Sequence, residues 1–409
     1  MTIGQSGSAV LFWLGLASLA ACAEPALAQD WLTTPATLVG GRIVLAGDAS
    51  VTFGSGDEGF FNYTNYESST LRRIRAGLAA RVVAGSRLSL LAELRAETGS
   101  HVEPYAWYAR VQPWPDRSFV VQAGRIPPVF GAYGRRAYPQ DNPLIGDPLA
   151  YQYLTSIRYD AVPASADELL RMRGRGWLAS YSVGNPTPAP GLPVVSALRW
   201  NTGIQARVGW RAVEASAAWT MGSLSHPLVK PEHGTGQVSG RMAITPVVGL
   251  AIGVSVARGP YLSKDVLDAG PSAGTGPSLR QQSLGTDLEF SRGRWLVRGE
   301  AIVNSWSVPA LSAPRIEAPL GMTAAFIEGR YRLRPGFYLA GRLDRLAFEQ
   351  ISGSAGHVPW EAGVSRVELA SGYSLTRHLI VKACYQYNQR DGGRIRRSHL
   401  AAAQWLFWF

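Results

Sequence analysis

The chain has 409 residues, 46% of them hydrophobic, and a formal net charge of +11 carried almost wholly by arginine, since Lys230, Lys264 and Lys382 are its only lysines. After residue 30 no uninterrupted apolar stretch is long enough for a helical membrane span. Cys22 and Cys384 are the only cysteines, which excludes a disulfide-stapled scaffold.

At the amino end, Ala9 to Ala23 is an apolar run of signal-peptide length, followed by the small residues of Ala26-Leu27-Ala28. This predicts a signal peptide over 1–28 and a mature chain from Gln29, although the first eight residues carry no Lys or Arg. Leu19-Ala20-Ala21-Cys22 also fits a lipobox, so lipidation of Cys22 stays open beside simple export. Without a long basic run, the pI near 9.9 does not make the exported chain a nucleic-acid binder.

The mature chain then alternates apolar and polar residues with the period of a β-strand. In 42–53, Ile43, Leu45, Val51 and Phe53 alternate with Arg42, Asp48, Ser50 and Thr52. In 73–83, Ile74, Leu78 and Val82 oppose Arg73, Arg75 and Arg81. The same reading places strands at 87–97, 104–113, 117–125, 197–209, 212–222, 236–246, 249–258, 283–291, 294–306, 321–333, 337–348, 361–371, 378–389 and 397–409, sixteen in all. Tight turns such as Ala84-Gly85-Ser86, Ser291-Arg292-Gly293 and Arg334-Pro335-Gly336 alternate with Gly/Pro/Ser-rich loops at 54–70, 223–235, 259–282, 307–320, 349–360 and 390–396. One face of these strands is charged: Arg298, Glu300 and Asn304, then Arg342 and Asp344, then Lys382, Gln386 and Asn388. A packed soluble core would hold such charges only at high cost. A closed barrel with a polar lumen and a lipid-facing apolar wall holds them cheaply.

Residues 126–196 break the rhythm after the fifth strand. Ile126-Pro127-Pro128-Val129-Phe130-Gly131 is too proline-rich for a wall strand and is expected to turn the chain inward. Ser165-Ala166-Asp167-Glu168 has capping-box spacing and predicts a short helix over the residues that follow. A further hairpin from 150–158 and 176–183, giving eighteen strands, is an alternative. The segment holds Arg135, Arg136, Arg158, Arg171, Arg173 and Arg175 against Asp141, Asp147, Asp160, Asp167 and Glu168. Arginines at a constriction would select anions, whereas arginines paired with these acids would only hold the loop; both readings stay open.

The chain ends on Trp405-Leu406-Phe407-Trp408-Phe409, with Trp405, Phe407 and Phe409 on one face. This ending resembles the closing strand of a bacterial outer-membrane β-barrel. With the leader, the sixteen-strand rhythm and the insertion after strand five, the chain resembles the porin superfamily, and loosely its phosphate-selective branch. The resemblance implies an all-β transmembrane antiparallel barrel in the bacterial outer membrane, with a long inward-folding loop after strand five. It further implies passive diffusion of small hydrophilic or anionic solutes, contact with outer-membrane lipid, delivery to the barrel-assembly machinery through the last strand, and a homotrimer. The lysine ladder of a phosphate channel is missing, which leaves Arg73, Arg75, Arg298, Arg342, Lys382 and the six insertion arginines as lumen candidates. The alternatives are a sealed barrel serving as scaffold or sheath for a partner protein, and an outer-membrane enzyme. No Gly-x-Ser-x-Gly elbow and no His/Cys/Asp/Glu cluster of metal-ligand spacing appears, so neither catalytic residues, nor a metal, nor a cofactor are expected.

Overall fold

A computed structural model describes residues 35–409 apart from 65–67, 99–100, 115–116, 198, 231–235, 270–278 and 310. Residues 1–28, read above as a signal peptide, and Cys22 with them lie outside the described residues. Sixteen wall strands run β1 (Ile43–Gly54), β2 (Ile74–Val83), β3 (Leu88–Glu97), β4 (Glu103–Val111), β5 (Phe119–Arg125), β6 (Thr202–Trp210), β7 (Val213–Thr220) and β8 (Gln237–Val247). They continue as β9 (Leu250–Pro260), β10 (Arg280–Arg292), β11 (Trp295–Trp306), β12 (Leu320–Arg334), β13 (Phe337–Phe348), β14 (Val364–Ser374), β15 (Leu379–Arg390) and β16 (Arg397–Trp408). Each pairs antiparallel with the next, and β1 pairs with β16 from Asp48↔Trp408 to Gly54↔Ala402, so the sheet closes. The eighteen-strand alternative is corrected, because 150–158 is a buried run beginning in a helical turn and only Ala161–Val162 pairs with Val183–Gly184.

Closure follows from the period-two pattern, since a wall wet or packed on one side and apolar on the other leaves no edge only as a cylinder. Leu78, Leu90, Ile204, Val254, Leu284, Ile327, Leu343 and Leu369 are exposed on the outer face. Trp107, Trp210, Trp219, Tyr385 and Trp405 also point outward, as expected of an interfacial girdle. Two of the short turns run through Gly293 and Gly336 at φ +61° and +78°, conformations that a side chain would strain.

The seam is completed by the carboxy-terminus itself. Phe409 donates to the Gly47 carbonyl at 2.9 Å and accepts from the Gly47 N–H at 3.1 Å. Below that point the short strand Ala36–Leu38 pairs with Ile43–Leu45, so the β1 edge is covered over its lower turn as well. The Phe409 ring lies over Gly47, where a Cβ would sit 2.6 Å from the ring edge.

The core is inside the barrel. Inward residues of the late strands, among them Ile302, Trp306, Met322, Phe326, Leu346 and Phe348, form one apolar cluster with Phe130, Leu149, Tyr151, Ile157, Leu169 and Val194 of the insertion. Trp306 and Trp360 meet edge to face at 5.9 Å and 85°, both fully buried. On the late-strand side the insertion is therefore packed against the inner wall. With each buried apolar side chain worth about 1.5–3 kcal/mol, docking of the insertion is a major part of the fold.

The lumen and the inserted segment as candidate functional site

A segment without regular structure at membrane depth needs a partner for every buried backbone group. The inner wall supplies these partners to residues 130–152. Glu368 accepts from the N–H groups of Ile145 at 3.3 Å and Gly146 at 3.0 Å. Asp344 accepts from Leu149 N at 3.3 Å, and Glu300 accepts from Tyr133 N at 3.4 Å and from the Tyr151 hydroxyl at 2.7 Å. Lys382 spends its three donors on the carbonyls of Pro139, Asn142 and Leu144 at 2.6, 2.7 and 3.3 Å. Arg366 reaches the carbonyls of Asp147 at 3.2 Å and Phe61 at 2.8 Å.

Arg342 ties this shell together. It pairs with Glu328 at 3.2 Å, Asp344 at 3.1 Å and Glu368 at 2.8 Å, and donates to the Gly146 carbonyl at 2.5 Å. Its side chain is 0% exposed. Arg342 and Lys382 do point inward, as the alternation predicts, but the insertion covers them and they present no face to a solute. Arg158 is likewise fully buried, paired with Asp160 at 2.8 Å and donating to the carbonyls of Ala179 and Thr187.

Towards the short turns inward side chains are partly exposed, Arg135 by 28% and Arg136 by 40%. Arg135 and Arg136 hang from the underside of the insertion, Arg135 3.6 Å from Glu214 and Arg136 paired with Glu289. Arg298 faces them, 3.1 Å from Glu289 and 3.7 Å from Glu328, and it donates to the Asp141 carbonyl. Arg241 pairs with Asp287 at 2.5 Å. Burial first, then the Arg241 charge, holds the Arg135 guanidinium below the usual arginine range. For Arg136 the order is burial and then Arg298. Both guanidiniums stay charged at neutral pH.

Sequence reasoning singled out Arg73, Arg75 and Arg298 on this inner face. Arg73 pairs with Glu97 at 3.4 Å, and Arg75 lies 3.6 Å from Asp48 and donates to the Ala137 carbonyl. It did not single out Arg110, Arg207, Arg330 and Arg332, which share inward parity with Arg81 near the short turns. None of these five has a carboxylate within ion-pair distance among the described residues. The parity that exposed Arg298 was a sufficient signal for them too.

Arg171, Arg173 and Arg175 belong elsewhere. One half of the capping box forms: Ser165 caps Ala166–Arg171 by accepting from Glu168 N at 3.3 Å. The Glu168 carboxylate reaches back one residue further than the pattern predicts, to Ala164 N, and also accepts from Ser182. Asp167 holds the Ser354 turn of an outer hairpin, Gln350–Gly353 with Gly356–Pro359. Arg171 and Arg175 are therefore exposed at the long-loop end, away from Arg135 and Arg136. Ser352 and His357 meet at 3.2 Å in that hairpin, with no acid bonded to the histidine among the described residues.

The geometry defines a closed sixteen-stranded transmembrane barrel of porin type, in which the segment after the fifth strand folds into the lumen. No family model and no curated protein sequence matches the chain. Among solved structures it is similar to OmpF of Salmonella typhi, solved in complex with daunomycin, at 11% identity and a TM-score of 0.54 over 90% of this chain and 97% of that one. It is similar to the outer-membrane channel DcaP of Acinetobacter baumannii at 9% identity and a TM-score of 0.53, covering 92% and 100%. The trimer form of OmpT, an outer-membrane protein of Vibrio cholerae, matches at 11% identity and a TM-score of 0.51, covering 90% and 99%. At these identities the likeness concerns the fold.

Proposed function

We propose that the protein is an outer-membrane channel for passive diffusion of small hydrophilic solutes, with a preference for anions. The observation that carries this reading is the excess of inward arginines around the vestibule. Among the described residues Arg81, Arg110, Arg207, Arg330 and Arg332 have no carboxylate within ion-pair distance, whereas Arg135 and Arg136 have Glu214 and Glu289. Partly exposed guanidiniums at a narrowing attract anions by field and hold them by forked hydrogen bonds. DcaP is described as an outer-membrane channel and OmpT occurs as a trimer, which supports channel function and a homotrimer here.

The apolar cluster joining the insertion to the inner wall favours a second reading, a sealed barrel acting as scaffold for a partner. Conductance and reversal potential of the refolded protein in a planar bilayer under a salt gradient separate the two. Stable steps with an anion-selective reversal potential are expected, and Arg135→Gln with Arg136→Gln is expected to shift that potential towards zero. A correctly folded barrel without conductance would overturn the channel reading in favour of the sealed one.

A further inference from the structure

At the long-loop end, three loops meet in a pocket of about 710 Å³ lined by Glu58, Phe60, Arg175, Trp177, Arg394 and Ile395. The loops are the one after β1, the insertion, and the one between β15 and β16. Arg390 locks them together, donating to the carbonyls of Gly59 at 3.2 Å, Gly392 at 3.1 Å and Ile395 at 3.0 Å, with its guanidinium 4.8 Å from the Phe61 ring centre. Gly174 and Gly393 close the joint backbone to backbone: a Cβ on Gly174 would lie 2.6 Å from the Gly393 nitrogen.

Within this frame Phe60 stands at φ +56°, a conformation that a bulky side chain rarely adopts. The turn enforcing it is closed by Asp57, which accepts from Asn62 N at 2.7 Å. Phe60 stacks on Trp177 with ring centres 4.0 Å apart and planes within 4°. Arg175 and Arg394 are exposed on the same pocket, and neither has an ion-pair partner among the described residues. The strain therefore holds a flat apolar wall beside Arg175 and Arg394, whose two positive charges outnumber the single Glu58 carboxylate of the lining.

We propose that this pocket binds small aromatic carboxylates, the planar ring lying against the Phe60–Trp177 wall and Ile395, and the carboxylate on the Arg175 and Arg394 guanidiniums. A neutral or non-planar solute satisfies only half of this pairing. The site depends on the loop geometry, independently of whether the lumen conducts.

Saturation-transfer NMR with sodium benzoate on the folded full-length protein in detergent micelles tests it. Binding with a Kd on the order of 1 mM is expected, with benzamide, the neutral analogue, on the order of tenfold weaker. Trp177→Ala and Arg394→Gln are each expected to weaken benzoate by a similar factor. Arg394 is exposed, so that variant keeps the test valid should Trp177→Ala fail to fold. No transfer to benzoate, or equal transfer to benzoate and benzamide, would overturn the proposal, as would unchanged binding in folded Arg394→Gln. Because binding is read without current, its loss leaves the channel reading standing, and a silent bilayer leaves this site standing.

Discussion

Arg342 shows how much one residue can carry in a barrel whose lumen is occupied. Three carboxylates, Glu328, Asp344 and Glu368, face it, and two of them also hold the backbone of the insertion. Removing the guanidinium leaves those charges buried without compensation, which costs about 3–5 kcal/mol. Arg342→Ala is therefore expected to lower the temperature at which the folded form converts to the unfolded one on a semi-native gel, whereas an exposed change such as Arg171→Ala leaves it unmoved. Asp160 gives the residue scale a pH signature. Burial alone would raise its pKa, but hydrogen bonds from Arg158 and Asn185 outweigh burial and hold the carboxyl below its usual range. A carboxylate depressed in the folded state stabilises above its unfolded pKa, about 3.9, and that contribution is lost as pH falls through the folded value. Pepsin cleavage within 155–190 should accordingly accelerate only below about pH 4, and Asp160→Asn should remove that acid-dependent step.

At the scale of elements, the strands were legible and the loop contacts were not. The alternation in 294–306 and 337–348 placed Val303 and Leu343 outside and Glu300 and Arg342 inside, as observed. Period two assigns a face without reference to anything distant, so it survives translation from sequence to structure. What lies against that face is a matter of sequence separation in the hundreds: Lys382 serves carbonyls some 240 residues earlier in the chain. No local pattern announces that a lysine will cap backbone rather than face a solute. The closing element allows a direct test. Since a Cβ on Gly47 collides with the Phe409 ring, Gly47→Leu is expected to disturb the β1–β16 seam and cut the refolding yield severalfold. Gly47→Leu combined with Phe409→Ala should recover part of it, which the fraction of heat-modifiable protein would show.

On the scale of the whole molecule, the barrel has two unlike halves. Towards the long loops the insertion packs on the late strands as an apolar core in the ordinary sense; towards the short turns the inner face carries the arginines and their acids. Deleting about 135–190 removes the packed partner of the inner wall together with Arg135 and Arg136. If such a barrel still folds, bilayer recordings should show higher conductance and weaker ion selectivity. Unchanged conductance would place the insertion outside the conducting path.

The amino-acid sequence alone determined the strand rhythm, the inward and outward faces, the place of the insertion and the aromatic closing strand. These depend on local periodicity and on solvent, and a closed wall is the one arrangement that satisfies such a pattern in lipid. Only the tertiary structure decided which inward charges meet water and which meet protein. That choice turns on how residues 130–152 thread the lumen, where buried backbone groups must find partners from strands far along the chain. Arg342 and Lys382 became struts and Arg135 and Arg136 vestibule charges for this reason, although all four are basic residues inside the same barrel.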